Sequence, residues 1–305
     1  MRPPYDLLAI DLDGTLLMPG GGVSAANVDA IVRARDAGIA VTICTGRGLA
    51  ESRAAIEQIT QEAPVAVAGG AILADPVTGA TLHRYPMDAD LALDLTHAIN
   101  RAGHAAIVLK DAHAAGYDYL VVGGPDGLDV DPLTRWWFKK MGVEVRRARQ
   151  LEEDEHPEHT LRVGLCGGES LVHPAETALH EIARGRAATH TFTALAPTPA
   201  QEGGVLQGDD LPAFDEPVVL VEAFDLAVNK WEAVRWIARE LGLDGARIAA
   251  IGDEVNDARM IRSATLGVAM GNAVPDVLAV ADRVAPKNAD DGVAHAIDRI
   301  LAGEW

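Results

Sequence analysis

The chain has 305 residues, of which 49% are hydrophobic and 23% charged. That composition supports a sizeable folded core and argues against disorder, and the length suits one large domain or two modest ones. The formal net charge is −19, which argues against non-specific nucleic-acid binding, because that needs basic surface to displace phosphate counterions, and equally against docking on anionic membranes. An anionic substrate then needs a local positive group or a metal to hold it. The two cysteines, Cys44 and Cys166, lie far apart with no CxxC spacing, the usage of a reducing compartment. No basic segment leads into a long apolar stretch at the N-terminus, and no apolar run approaches the roughly 20 residues that span a bilayer. The expectation is a cytoplasmic protein.

The first strand is expected at Leu7–Ile10, an apolar run that ends in Asp11-Leu12-Asp13-Gly14-Thr15. A helix follows, capped by Ser24, with Val28, Ile31 and Val32 as its apolar stripe and Gly38 as its stop. Residues 39–44 read as a buried strand ending in Thr45-Gly46-Arg47, residues 49–59 as a helix, and residues 65–68 as a third strand ending in Gly69-Gly70. Strands that are apolar throughout and alternate with helices predict βαβ units and a parallel sheet covered on both faces. From about residue 84 the pattern changes to helices mixed with alternating strands such as Tyr119–Val122, with loop-like stretches at 123–132 and 196–217. Trp136-Trp137-Phe138 reads as packing within this region, and residues 152–155, all acidic, as a solvated run. That run neutralises the basic cluster of Lys139, Lys140, Arg146, Arg147 and Arg149. Near residue 228 the βα rhythm returns, with a helix at 230–241, strands at 248–251, 266–270 and 283–285, and a closing helix at Gly292–Leu301. The expected fold is α/β: a Rossmann-like, doubly wound parallel-sheet core from residues 1–83 and 228–305, with an inserted α+β cap domain at 84–227.

In an open parallel sheet, ligands bind at the carboxyl ends of the strands. Asp11, Asp13, Thr45, Gly69, Gly70 and Asp253 are therefore expected on one rim, within reach of Lys230 at the start of a helix. Two carboxylates two residues apart repel, so they need a cation or a proton. Asp253 and Asp257 bring two more, in Gly252-Asp253-Glu254-Val255-Asn256-Asp257. Such a hard oxygen site suits Mg²⁺, which takes one or two carboxylates, waters and a substrate phosphate oxygen. The Thr45 hydroxyl, the Gly46 amide and the Lys230 charge are phosphate-cradling groups. An acidic nucleophile, a metal and phosphate clamps together point to phosphoryl transfer through an aspartyl-phosphate. Singly, each element has a plainer reading: an acidic pair as a turn, Thr-Gly-Arg as a strand-to-helix connection, a lysine as solvated. Their order at successive strand ends is what points to one shared site. Cys44 lies inside a strand and reads as core, and His113 and His190 have no zinc-type spacing.

Asp-Leu-Asp-Gly-Thr-Leu at 11–16, then Thr-Gly-Arg, then a lone lysine, then Gly-Asp-x-x-Asn-Asp, resembles the haloacid dehalogenase-like superfamily over the whole chain. The placement of the insert resembles its Cof-type branch (subclass IIB), whose members are mostly Mg²⁺-dependent phosphatases. The resemblance implies that Asp11 is nucleophile and metal ligand, and that Asp13 is the general acid/base, with its backbone carbonyl a second ligand. It implies that Thr45 and Lys230 bind the transferring phosphoryl group, that Asp253 binds Mg²⁺, and that Asp257 stands beside it. Asn256 would touch phosphate or orient Lys230, and Arg47 would face the substrate, with Gly46, Gly69 and Gly70 alongside. Two departures stand out. The third strand ends in Ala68-Gly69-Gly70-Ala71 where the branch has Asn-Gly-Ala, although the glycines still allow close backbone approach. Glu254 adds a charge at a position often small or neutral. The expected function is a Mg²⁺-dependent phosphomonoester hydrolase of a small phosphorylated metabolite. A sugar phosphomutase and a non-catalytic phospho-ligand-binding protein are the alternatives, with no nucleic-acid or membrane partner and the oligomeric state open.

Overall fold

The computed structural model describes residues 3–195, 214–243 and 245–305. They gather into two compact units, one formed by the described residues up to 82 and from 229 onward, the other by residues 83–195 and 214–228. The first unit begins with β1 (Leu7–Ile10), buried along its whole length. Helix α1 (Ala25–Asp36) starts where the Ser24 hydroxyl accepts from the Asn27 amide at 3.1 Å, which satisfies one of the N–H groups a helix start leaves open. Its buried face is Asn27, Ala30, Ile31 and Ala34; of the expected stripe Ile31 lies on that face, while Val28 is half-buried and Val32 is 46% exposed. At 3.6 residues per turn, positions 27, 30, 31 and 34 share one face, and positions 28 and 32 sit a step round from it. Strand β2 (Ala40–Ile43), helix α2 (Leu49–Gln58) and strands β3 (Val65–Val67), β4 (Ile72–Ala74) and β5 (Thr81–Arg84) follow. β2 lies parallel to β1 with Leu7 opposite Ala40, and a parallel bridge from Cys44 to Ala66 brings β3 alongside β2.

The second unit contains α3 (Ala89–Arg101), β6 (Ala106–Lys110), α4 (Ala112–Ala115), β7 (Tyr119–Val122), α5 (Pro132–Met141), β8 (Val145–Ala148), β9 (Thr160–Gly168), α6 (Glu169–Ala183), β10 (Ala187–Leu195) and β11 (Val218–Asp225). Its sheet runs β10-β11-β9-β6-β7-β8, antiparallel except at the β7–β8 edge. Alternate residues of its strands, among them Val108, Leu120, Val163, Leu165 and Val221, form a core with α3 and α6. The acidic run departs from expectation at Asp154. Its side chain is inaccessible, pairs with the equally buried ammonium of Lys110, and accepts from the Tyr117 hydroxyl at 2.8 Å. A buried lysine needs a counter-charge, so one member of the run folds inward while Glu152, Glu153 and Glu155 stay exposed. The basic cluster is partly neutralised: Arg146 pairs with Glu155 at 3.0 Å and Arg147 with Asp129 at 2.6 Å. Trp136, Trp137 and Phe138 are half-buried. Phe138 packs 4.8 Å from the Tyr119 ring and Lys140 lies 4.6 Å over Trp136. Most of the loop-like stretch at 196–217 lies outside the described residues.

The chain returns to the first unit through α7 (Lys230–Glu240), β12 (Ile248–Gly252), α8 (Ala258–Ser263), β13 (Leu266–Ala269), α9 (Pro275–Leu278), β14 (Arg283–Val284) and α10 (Gly292–Leu301). The parallel order is β14-β13-β12-β1-β2. β1 sits between the early and late strands, so the order reverses beside it, and the crevice at such a switch point lies past the strands' carboxyl ends. No helix among the described residues is long and apolar enough to cross a membrane.

Candidate active site

The chain leaves β1 into a turn over Leu12–Leu16, in which Gly14 takes φ 73°. A Cβ at Gly14 would lie 2.1 Å from Asp253 Oδ2, so only glycine lets the loop after β1 meet the loop after β12. Asp11, 3% exposed, anchors its amide on the Ile251 carbonyl at 3.0 Å. Lys230 opens α7, whose first turn is capped by the Asn229 side chain accepting from the Glu232 amide at 3.0 Å. The Lys230 ammonium, 2% exposed, donates to Asp11 Oδ1 and Asp257 Oδ1, both at 2.6 Å. Asp257 Oδ2 accepts from the amides of Asp253 and Glu254, each at 3.0 Å. Asp253 Oδ1 accepts from the Thr15 hydroxyl at 2.6 Å. Ligand oxygens of Asp11, Asp253 and Asp257 lie within 4.8 Å of one another.

This crowding sets the electrostatics. Burial, then the charge of Asp257, raises the Asp11 carboxyl well above its ordinary range, against the pull of Lys230. Burial and Asp257 push Asp253 up to about 8, against the Thr15 hydrogen bond and Lys230. Burial draws Lys230 down, but Asp11 and Asp257 more than offset it and hold the ammonium above its usual range. Three converging carboxylates thus share one ammonium. Such a donor set fits a hard divalent cation such as Mg²⁺, which would relieve the repulsion that now raises Asp11 and Asp253.

Thr45, fully buried past the end of β2, accepts from the Arg47 amide at 3.1 Å. Gly46 faces Asn256, whose Nδ2 would lie 3.8 Å from a Cβ at that glycine. The Asn256 Oδ1 is buried and has no hydrogen-bond partner. The expected substrate contact Arg47 forks onto Asp13, with Nε at 2.8 Å and Nη2 at 2.5 Å from its two oxygens, and also reaches the Glu51 carbonyl at 3.3 Å. Gly69 and Gly70 take φ 67° and 99°, and a Cβ at Gly70 would meet the Asn229 carbonyl at 2.8 Å, so this glycine lets the turn after β3 press against the start of α7. Ala68 itself holds φ 53°, a left-handed conformation that an asparagine adopts more easily. Cys44 is wholly buried, and burial pushes its thiol up, as befits a core residue.

Thr15 and Asn272 were given no role on sequence grounds. The Asn272 side-chain amide donates to the Gly14 carbonyl at 2.8 Å and to Asp253 Oδ2 at 3.3 Å. Its position just past the carboxyl end of β13, one more strand of the same sheet, is the signal that could have found it.

A family model described as haloacid dehalogenase-like hydrolase matches residues 8–160 and 210–297. The chain belongs to this family, in its Cof-type branch. It is 27% identical over 302 residues to Phosphatase YwpJ of Bacillus subtilis (strain 168), covering 97% of this chain and 99% of that protein. It is also 27% identical over 316 residues to 5-amino-6-(5-phospho-D-ribitylamino)uracil phosphatase YwtE of the same organism, covering 98% and 99%. Among solved structures, a haloacid dehalogenase-like hydrolase from Bacteroides thetaiotaomicron superposes with a TM-score of 0.75 at 20% identity, over 97% of this chain and 99% of that one, which shows the shared fold.

Proposed function

We propose that the chain is a Mg²⁺-dependent phosphomonoester hydrolase that works through a phosphoryl group carried on Asp11. The observation that carries this reading is the single Lys230 ammonium bound to both Asp11 and Asp257 at 2.6 Å, beside Asp253. Asp11 and Asp253, with Asp257 close by, are the side chains that would hold the cation. When bound, it supplies positive charge that keeps the carboxylates ionised and offsets charge on the transferring phosphoryl group.

In this reading the Asp11 carboxylate attacks phosphorus, the bond to the leaving oxygen breaks, and an acyl-phosphate forms on Asp11. Lys230 and the Thr45 hydroxyl hold the phosphoryl oxygens, and the Gly46 amide and Asn256 lie on the same side. Asp13 gives its proton to the leaving oxygen and then takes one from water. The resulting hydroxide attacks phosphorus and frees both Asp11 and inorganic phosphate. Arg47 engages both Asp13 oxygens, so Asp13 enters the reaction by leaving that fork.

Substrate choice is assigned to the inserted region, 84–227, because the groups gathered around Asp11 are those that handle a phosphoryl group. The relatives bear names for phosphatases of a phosphoribitylaminouracil and of HMP-PP, which supports a small phosphorylated metabolite. The test is phosphate release across a panel that includes those compounds and sugar phosphates, with Mg²⁺ and with EDTA. Release that needs the metal is expected. Full release in EDTA, or conversion of one sugar phosphate to its isomer without release, would overturn the reading.

A further inference from the structure

The loop after β1 is tied to the late part of the chain by three asparagine side chains. Asn272 donates to the Gly14 carbonyl, Asn288 to the Leu17 carbonyl at 2.8 Å, and Asn27 to the Leu16 carbonyl at 3.5 Å. In return, Asn272 Oδ1 accepts from the Asn288 amide at 3.0 Å and Asn27 Oδ1 from the Ala294 amide at 2.8 Å. A loop that has left its sheet has no ladder to satisfy its carbonyls, and these amides take that place.

Asn27 and Asn288 are buried. Asn272 is different. It is exposed, yet its side chain makes three hydrogen bonds, and one of them reaches a functional carboxylate. A surface side chain gives up rotamer freedom to be held so firmly. Its orientation is also unambiguous: the Asn288 backbone amide can only donate, so the oxygen of Asn272 must face it and the nitrogen must face Gly14 and Asp253. Both N–H groups are then used, one on each loop of the site. Together with the Thr15 hydroxyl on Oδ1, Asn272 on Oδ2 leaves neither oxygen of Asp253 free to rotate.

We propose that Asn272 is a positioning residue, which holds Asp253 against the loop after β1 and thereby sets the affinity of the carboxylate cluster for a divalent cation. This rests on the metal-site reading given above. Partners that orient a ligating group typically change metal affinity by about 10–100-fold, and without Asn272 one oxygen of Asp253 and the Gly14 carbonyl both lose their donor.

The test uses the full-length protein freed of metal. Mg²⁺ is titrated by calorimetry into the wild type and Asn272→Ala, and the melting temperature of each is measured in EDTA. We expect Asn272→Ala to bind Mg²⁺ about 10–100-fold more weakly, with a melting temperature within about 3 °C of wild type. Turnover at saturating Mg²⁺ should recover towards wild type while the Mg²⁺ concentration for half-activation rises, a split that a fold defect would not produce. Mg²⁺ affinity within about threefold of wild type would overturn the proposal, as would an Asn272→Ala protein that fails to fold, since the residue would then be structural. Phosphate release by the wild type is followed alongside. Its absence, with the affinity change intact, removes the phosphatase reading and leaves the role of Asn272 standing.

Discussion

At Lys230 one ammonium, 2% exposed, serves two carboxylates at 2.6 Å each. Taking it away leaves Asp11, Asp253 and Asp257 within 4.8 Å of one another with no cation paired to them. Removing one partner of a buried ion pair costs about 3–5 kcal/mol, so metal-free Lys230→Met should melt well below the wild type. Mg²⁺ should then raise its melting temperature more than it raises that of the wild type, because the cation meets an uncompensated site. Equal melting in EDTA would contradict the electrostatic account. Lys230 itself was legible in the sequence, as a lysine opening a helix where the βα rhythm resumes. Asp11 and Asp257 were legible as members of the same site but not as the partners of Lys230, because sequence order gives the rim but not which oxygens converge. The same limit applies to Arg47: its fork on Asp13 joins residues 34 apart in sequence, and nothing local foretells that pairing. Asn272 left still less trace, since Gly271-Asn272 after a strand looks like an ordinary turn.

At the scale of elements, the apolar runs of the core strands were read within a residue or two, because a parallel strand buried on both faces tolerates little else. Helix α1 lies where the sequence places it and Ile31 of its expected stripe faces inward, but Val28 and Val32 sit a step round from that face, which is completed by the small residues at 30 and 34 that fit the close packing of α1 on α10. The acidic run at 152–155 was misread at one position for a related reason. Exposure was inferred from composition, while Asp154 answers a buried charge on Lys110 that lies 44 residues away. That pair makes a prediction with a definite sign. Burial alone would raise the Asp154 carboxyl, but hydrogen bonds from Lys110 and Tyr117 more than reverse this and hold it below the ordinary carboxylate range. A carboxyl lowered on folding stabilises the protein above its unfolded value, and that contribution is lost as pH falls through the folded value. Asp154→Asn should therefore cost about 3 kcal/mol at pH 7, where it strands the Lys110 ammonium. Denaturation at a series of pH values should show the gap to the wild type closing below about pH 4. A gap independent of pH would mean that the pair contributes by packing rather than by charge.

At the scale of the whole molecule, the parallel sheet with β1 at the switch of strand order was legible from the alternation of apolar runs and helices, and its rim from the polar residues that end those runs. The inserted unit was legible only as a change of rhythm, because antiparallel strands and helices of mixed polarity give weaker local signals. The account as a whole turns on one covalent event, the transfer of a phosphoryl group to Asp11. Asp13→Ala separates that event from its reversal, because an aryl phosphate with a stable leaving group barely needs the acid in the first step, while the second still needs the base. Asp13→Ala mixed with p-nitrophenyl phosphate and Mg²⁺, quenched in acid and weighed intact, should carry the added mass of one phosphoryl group, and peptide mapping should place it on Asp11. Unimpaired turnover with no trapped adduct, or a phosphoryl group on any other residue, would contradict the account.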